Sequence, residues 1–176
     1  PAPAPYRRSP HEIVRMLHAS TNAIVAEVWA LGAQATTRPA PEEWCANEVL
    51  GHVIEADQRG FIGRVRQVIA SDRPTFTPWD QPGVARERRD QEKHPADLVA
   101  VFLAARERDL AWLAEMDPAF MARVGIHPAV GELSVGDLLN EWIHHDREHL
   151  AQILAISQAF VRPFMGNALK FSQPNP

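Results

Sequence analysis

Four stretches of the chain repeat apolar residues at helical spacing, and the residues between them mark starts and stops. In the first, Ile13, Leu17, Ile24, Val28 and Leu31 share one face. Ser9, Pro10 and Glu12 supply an N-cap, a first-turn proline and the acidic half of a capping box, and Gly32 supplies the stop. The segment from Ala33 to Glu43 carries Pro39 and Pro41 and reads as a loop. A second helix opens with Trp44-Cys45-Ala46-Asn47-Glu48, and Leu50, Val53, Ile54, Phe61, Val65 and Val68 form its apolar arc. Cys45 holds the capping position, where a thiol is a poor hydrogen-bond partner.

A third helix starts at Pro95, shows Leu98, Phe102, Ala105, Trp112, Leu113 and Met116 on one face, and ends at Asp117-Pro118. Ser134-Val135-Gly136-Asp137 is a further capping pattern. It opens a fourth helix that runs to about Phe160, with Val135, Leu138, Leu139, Trp142, Ile153 and Ile156 as its stripe. No segment reads as a strand, and Phe120 to Gly131 reads as irregular. Four long helices predict an all-α four-helix bundle with a long connection between helices 2 and 3. That connection, Ser71 to His94, contains Pro74, Pro78 and Pro82 and is a candidate crossover. Its Phe76 and Trp79 are too apolar for a solvated linker, so they are expected to pack over one end of the bundle and to wall or cover a site. The mixed-sign run Arg86 to Lys93 reads as a solvated helical turn.

With 176 residues and no internal repeat, one domain is expected over residues 1–176, with a helical core at about 9–160 and a tail at 161–176. Phe164, Met165, Leu169 and Phe171 in the tail are expected to dock on the bundle or on a second subunit. A net charge of −4 gives no electrostatic reason for a nucleic-acid partner. No apolar run approaches the roughly 18 residues of a membrane helix. Pro1 to Pro10 lacks the apolar core of a signal peptide, and a single cysteine excludes an intramolecular disulfide. These features together suggest a cytoplasmic protein.

The chemistry concentrates in the fourth helix. His145 and His149 are one turn apart and fall in a gap of the apolar stripe, so their rings are neighbours on the core-facing side. His144 and Glu148 lie on the opposite face and are expected in water. Two imidazoles in an apolar stripe need partners, and a divalent metal satisfies both at once. A third ligand must come from another helix, and composition leaves His52, Asp57, Glu48 and Glu55 open. His52 sits at the rim of its arc, beside Val49, Ala56, Gly60 and Gly63. Taken alone, it reads as a rim histidine bonded to Glu48 or Glu55. His11, His18 and His127 have no constellation around them and read as surface or structural residues.

Trp44 to Val68, with Glu48-Val49-Leu50-Gly51-His52-Val53, resembles the second helix of the DinB-like superfamily, which includes bacillithiol S-transferases. Gly131 to Leu139 and His145-Asp146-Arg147-Glu148-His149-Leu150-Ala151-Gln152-Ile153 resemble its last helix. Cys45 departs from the Ser or Thr cap of many members. The resemblance implies a bundle that holds a divalent metal through His52, His145 and His149, with zinc or nickel favoured and iron or manganese as further choices. An open position on such an ion would take water or a thiolate. The implied activity is that of a low-molecular-weight thiol S-transferase or of a hydrolase acting on a small molecule, in a homodimer. The alternative is a non-catalytic metal-binding stress-response protein. No catalytic residue is assigned. Asp146, beside the ligands, is a candidate to orient an imidazole, and Gln152, one turn beyond His149, is a candidate polar wall of the pocket. Metal affinity is expected to fall with acid from near pH 6.5, the ordinary histidine value.

Overall fold

The computed structural model describes residues 8–172. The first seven residues of the Pro-rich N-terminus and the last four of the tail lie outside it. Helix α1 (Pro10–Leu31) begins at the expected box: the Ser9 backbone N–H donates to the Glu12 carboxylate at 2.9 Å. Helix α2 (Ala46–Glu55) passes through a π-helical turn (Ala56–Phe61) into α3 (Ile62–Ala70), so one long rod holds three segments. The connection after it contains a short helix, α4 (Gln81–Arg88). Helix α5 (Pro95–Ala114) and helix α6 (Val135–Val161) complete the bundle. At the start of α6, Asp137 accepts from the Ser134 N–H at 2.9 Å and its own N–H donates to Ser134 Oγ at 3.0 Å.

The packing is that of a four-helix bundle with an unusual neighbour order. α1 packs along α5 and α6, and α2 packs along the same two helices, while α1 and α2 meet only marginally. Consecutive rods α1 and α2–α3 are therefore diagonal, and the connection from α3 to α5 runs back along the bundle, from the contact of Phe76 with Ile126 to the contacts of Asp90 and Lys93 with Asn47 near the start of α2. Where the connection leaves α3, the structure corrects the expectation of no strand and of an irregular segment from Phe120 to Gly131. β1 (Val124–His127) and β2 (Gly131–Ser134) form an antiparallel hairpin in which Val124 faces Ser134 and His127 faces Gly131. Four residues per strand, with glycine in each, are too few to show a period-two pattern.

Phe76 is buried against this hairpin as expected of a bundle cap: its N–H donates to the Ile126 carbonyl at 2.8 Å, and its ring lies where a Cβ on Gly125 would come within 2.3 Å. Only glycine fits under that ring. Trp79 stays half-buried, with the Arg59 guanidinium 5.7 Å from its ring centre.

The charged run in the connection is not simply solvated. Asp90 is buried and receives Arg88 Nε at 2.7 Å and Lys93 Nζ at 2.8 Å. It lies directly over Gly51, where a Cβ would meet Asp90 Oδ2 at 1.8 Å. Asn47 Nδ2 donates to the carbonyls of Asp90 and Lys93 at 3.1 and 2.9 Å. These contacts fasten the connection to α2 one residue from His52. Glycine at 51 thus serves close approach, which sequence had suggested for Gly60 and Gly63. Of the two places expected for the tail, Phe164 and Phe171 do not take the first: at 87% and 94% exposed neither covers the bundle, while Met165 and Leu169 are half-buried. Among the described residues, no helix is long and apolar enough to cross a membrane.

The core divides into two apolar clusters along the bundle axis. One gathers Leu17, Phe61, Leu110 and Trp142, and the other gathers Ile24, Val53, Phe102 and Ile153. Between them each rod contributes one polar residue: Thr21 from α1, Asp57 from the π turn, Arg106 from α5 and Asp146 from α6. All four are buried. Arg106 Nε and Nη2 donate to Asp57 at 2.6 and 3.0 Å, and Nη1 and Nη2 donate to Asp146 at 2.8 and 2.6 Å. Nη1 also reaches Thr21 Oγ1 at 3.2 Å, and Trp142 Nε1 donates to Asp57 Oδ1 at 2.6 Å. Bidentate pairing on both sides satisfies charges that would otherwise be costly to bury. Burial pushes the Asp57 carboxyl above its ordinary range, against the pull of Arg106.

Candidate metal centre

The three histidines meet beside the polar layer. His52 comes from the last turn of α2, and His145 and His149 come from successive turns of α6. One ring nitrogen from each lies within 4.8 Å of the others. Nε2 of His52 and Nε2 of His145 are 3.2 Å apart. Two nitrogens on one tetrahedral ion, each at about 2.0–2.1 Å from it, are separated by about 3.3 Å. The observed spacing therefore fits a pair of ligands without movement of either helix. The ring of His149 lies edge-on to both others, with centroids 4.7 Å from His52 and 4.4 Å from His145. Three neutral imidazoles make a donor set suited to a divalent ion such as zinc, nickel, copper or iron.

Packing fixes the rings. Phe61, from the π turn, stacks on Trp142 at 5.9 Å and presents its face or edge to His145 at 5.1 Å. Trp142 is in turn tied to Asp57, so the polar layer holds the wall against which His145 rests. Trp44 packs against the ring of His52, with centroids 5.5 Å apart. Burial, and then the neighbouring imidazole of His149, lowers His52 to about 4. Burial, followed by the other two histidines, lowers His145 to about 3. Both rings are therefore neutral well below pH 6.5, which moves proton competition at these two positions to more acid conditions than the ordinary histidine value suggests.

The remaining sequence candidates separate clearly. Gln152 Oε1 lies 2.9 Å from His149 Nδ1. As acceptor, it selects the tautomer with the proton on Nδ1 and leaves Nε2 with a free lone pair. Asp146 does not bond to an imidazole; both its oxygens receive Arg106. Asp57, Glu48 and Glu55 are also occupied. Asp57 receives Arg106 and Trp142. Glu48 receives Arg38 Nε at 3.0 Å and the Cys45 N–H at 2.9 Å. Glu55 receives Arg59 and Arg88. His52 therefore bonds to neither Glu48 nor Glu55, the partners expected of a rim histidine. Among the described residues, Nδ1 of His145 is buried without a hydrogen-bond partner. His144 pairs with Glu148 on the exposed face, as their positions on the helix predict.

The site opens outward. An accessible cleft of about 630 Å³ has His52 and His149 in its lining, with Trp44 and Gln152 beside them. Its volume lies in the range of small-molecule sites. The long connection contributes Gln81 to this cleft, in place of Phe76 and Trp79. Sequence reasoning missed Gln81, Glu42 and Glu43, because loop residues carry no periodic signal of what they face. It also missed Arg106 and Thr21, each a single polar position in an otherwise apolar stripe.

A crossed four-helix bundle with a three-histidine cluster, two of whose rings line a cleft, is the class of protein that these elements define. The model of the DinB superfamily matches residues 16–153, and the chain belongs to that superfamily. It is similar to a protein of Oceanobacillus iheyensis named "Putative metal-dependent hydrolase", at 25% identity over 113 residues, 64% of this chain and 64% of the relative. The match thus spans just under two thirds of that relative's length. It is 28% identical over 141 residues to the uncharacterized protein YuaE of Bacillus subtilis, covering 71% of this chain and 84% of that one. Among solved structures, YfiT from Bacillus subtilis, described as a probable metal-dependent hydrolase with an unusual four-helix bundle topology, shares the fold. Its TM-score is 0.78 at 16% identity, over 91% of this chain and 92% of that chain.

Proposed function

We propose that this chain is a divalent-metal-dependent hydrolase of small molecules, with His52, His145 and His149 as the metal ligands and zinc or nickel as the ion. The observation that carries the reading is the 3.2 Å approach of His52 Nε2 to His145 Nε2 within a cluster that opens into a cleft. Among the described residues no fourth His, Cys, Asp or Glu joins the cluster. That arrangement suits a catalytic site with an exchangeable position better than a closed structural one.

A divalent ion held by three imidazoles lowers the pKa of a bound water or thiol toward neutrality and polarises a carbonyl. The chain's own residues supply the rest. His52 and His145 stay neutral and available because they are buried against Trp44 and Phe61. Gln152 turns His149 so that its lone pair faces the cluster. Trp44, Gln81 and Gln152 line the space in which a substrate is oriented. The names of the relatives support water, rather than a low-molecular-weight thiol, as the nucleophile.

The test is a screen of protein reconstituted separately with zinc and with nickel, against esters, amides and pairs of thiol and electrophile. Hydrolysis that a chelator abolishes and one ion restores is expected. Thiol transfer without hydrolysis would replace the water chemistry with thiol chemistry. A stoichiometric ion with no turnover in any arm would favour the non-catalytic metal-binding stress protein.

A further inference from the structure

We infer that the cleft selects substrates carrying a cationic group, an ammonium or a guanidinium, beside the bond that is cleaved. The inference rests on the metal-dependent reading and adds the substrate class to it. Beyond the two histidines, the cleft is lined by Glu42 and Glu43 from the loop before α2, by Trp44, and by the amides of Gln81 and Gln152. None of the described residues lining it is Lys or Arg.

Glu42 and Glu43 are both exposed. Among the described residues neither carboxylate has a hydrogen bond or an ion pair, although Arg38 feels Glu42 through space. They are therefore free to meet an incoming charge. Trp44, half-buried between them and His52, offers an aromatic face, the surface that best receives a cation. Two open carboxylates and an indole at the mouth of one cleft share a single electrostatic preference.

The arginines of the adjoining depression lie outside the cleft lining. Arg38, Arg86 and Arg89 line a separate depression of about 380 Å³ that shares only Trp44 with the cleft. Two of them are already committed there, Arg38 to Glu48 and Arg89 to Glu92. A phosphate ester or polyanion would find no Lys or Arg countercharge among the described residues that line the cleft. A compact amine-bearing ester or amide would place its carbonyl over the histidines and its cation between Glu43 and Trp44.

Three matched hydroxamates test this on zinc-loaded protein by calorimetry. They share the zinc-binding group and differ only in a terminal trimethylammonium, methyl or carboxylate. The ammonium compound should bind about tenfold more tightly than the carboxylate at low salt, with the neutral one between them. The double variant Glu42→Gln/Glu43→Gln should bring that ratio close to one, and so should high salt in the parent protein. Equal affinities, or a preference for the carboxylate, overturn the inference while tight binding of the neutral hydroxamate leaves the metal reading intact. If the protein takes up no zinc and binds none of the three, the metal reading fails and this inference fails with it.

Discussion

The guanidinium of Arg106 and the carboxylate of Asp57 meet through two hydrogen bonds, 2.6 and 3.0 Å long, with neither group reached by water. On its other side the same guanidinium holds Asp146. Removing the cation leaves two buried carboxylates facing each other. Arg106→Leu should therefore cost about 3–5 kcal/mol of stability. Adding Asp57→Asn and Asp146→Asn should recover part of that loss. Urea unfolding of the three proteins checks it, and a single-variant loss below about 1 kcal/mol would contradict the layer's role.

His52 and His145 should cost the metal-free protein stability as pH falls below 6.5, against the opposite contribution of Asp57, whose carboxyl is raised. His52 titrates at about 4 and His145 at about 3 in the folded chain, against about 6.5 when unfolded. Between those values the unfolded chain binds protons that the folded chain refuses, so acid favours unfolding across this window. Urea midpoints of the metal-free protein and of a His52→Asn/His145→Asn variant, measured from pH 7 to 4.5, isolate this part. The parent should decline more steeply. Parallel curves would count against the depressed values.

Gln152→Leu should weaken metal binding by about tenfold to a hundredfold, because His149 loses the acceptor that fixes its tautomer. Gln152 is only half-buried, so the melting temperature of the metal-free protein should barely move. Zinc titration against a competing chelator measures the affinity. An unchanged dissociation constant would remove Gln152 from the site.

The tail bears on assembly. Phe164 and Phe171 stand almost fully in solvent, close to exposed Val161 in sequence, and exposed apolar side chains that join into one patch mark a contact surface. We expect a dimer in light scattering at micromolar concentration and a shift toward monomer in Phe164→Ser/Phe171→Ser. A monomer mass for the parent across that range would reject the dimer.

The four rods were legible because apolar residues repeat at helical spacing within each, as Ile13, Leu17, Ile24 and Val28 do in the first, and because Ser9 and Ser134 open boxes with Glu12 and Asp137. The pairing of His145 with His149 followed from the same periodicity. His52 needed the family resemblance, since spacing alone left Asp57, Glu48 and Glu55 equally open. The Arg106 layer was hidden because each member is a lone polar residue whose partner lies on another helix. The π turn was hidden as well. Its wider winding carries Ile62, off the stripe of a regular helix, into the core.

The most direct test of the account is metal content per chain. Tag-free protein, wild type and His145→Ala and His149→Ala, would be loaded with zinc, passed through a desalting column and analysed for bound metal. The account predicts close to one ion per wild-type chain and far less in each variant, with circular dichroism showing that all three remain helical. Equal metal in wild type and variants, or none in the folded wild type, would contradict it.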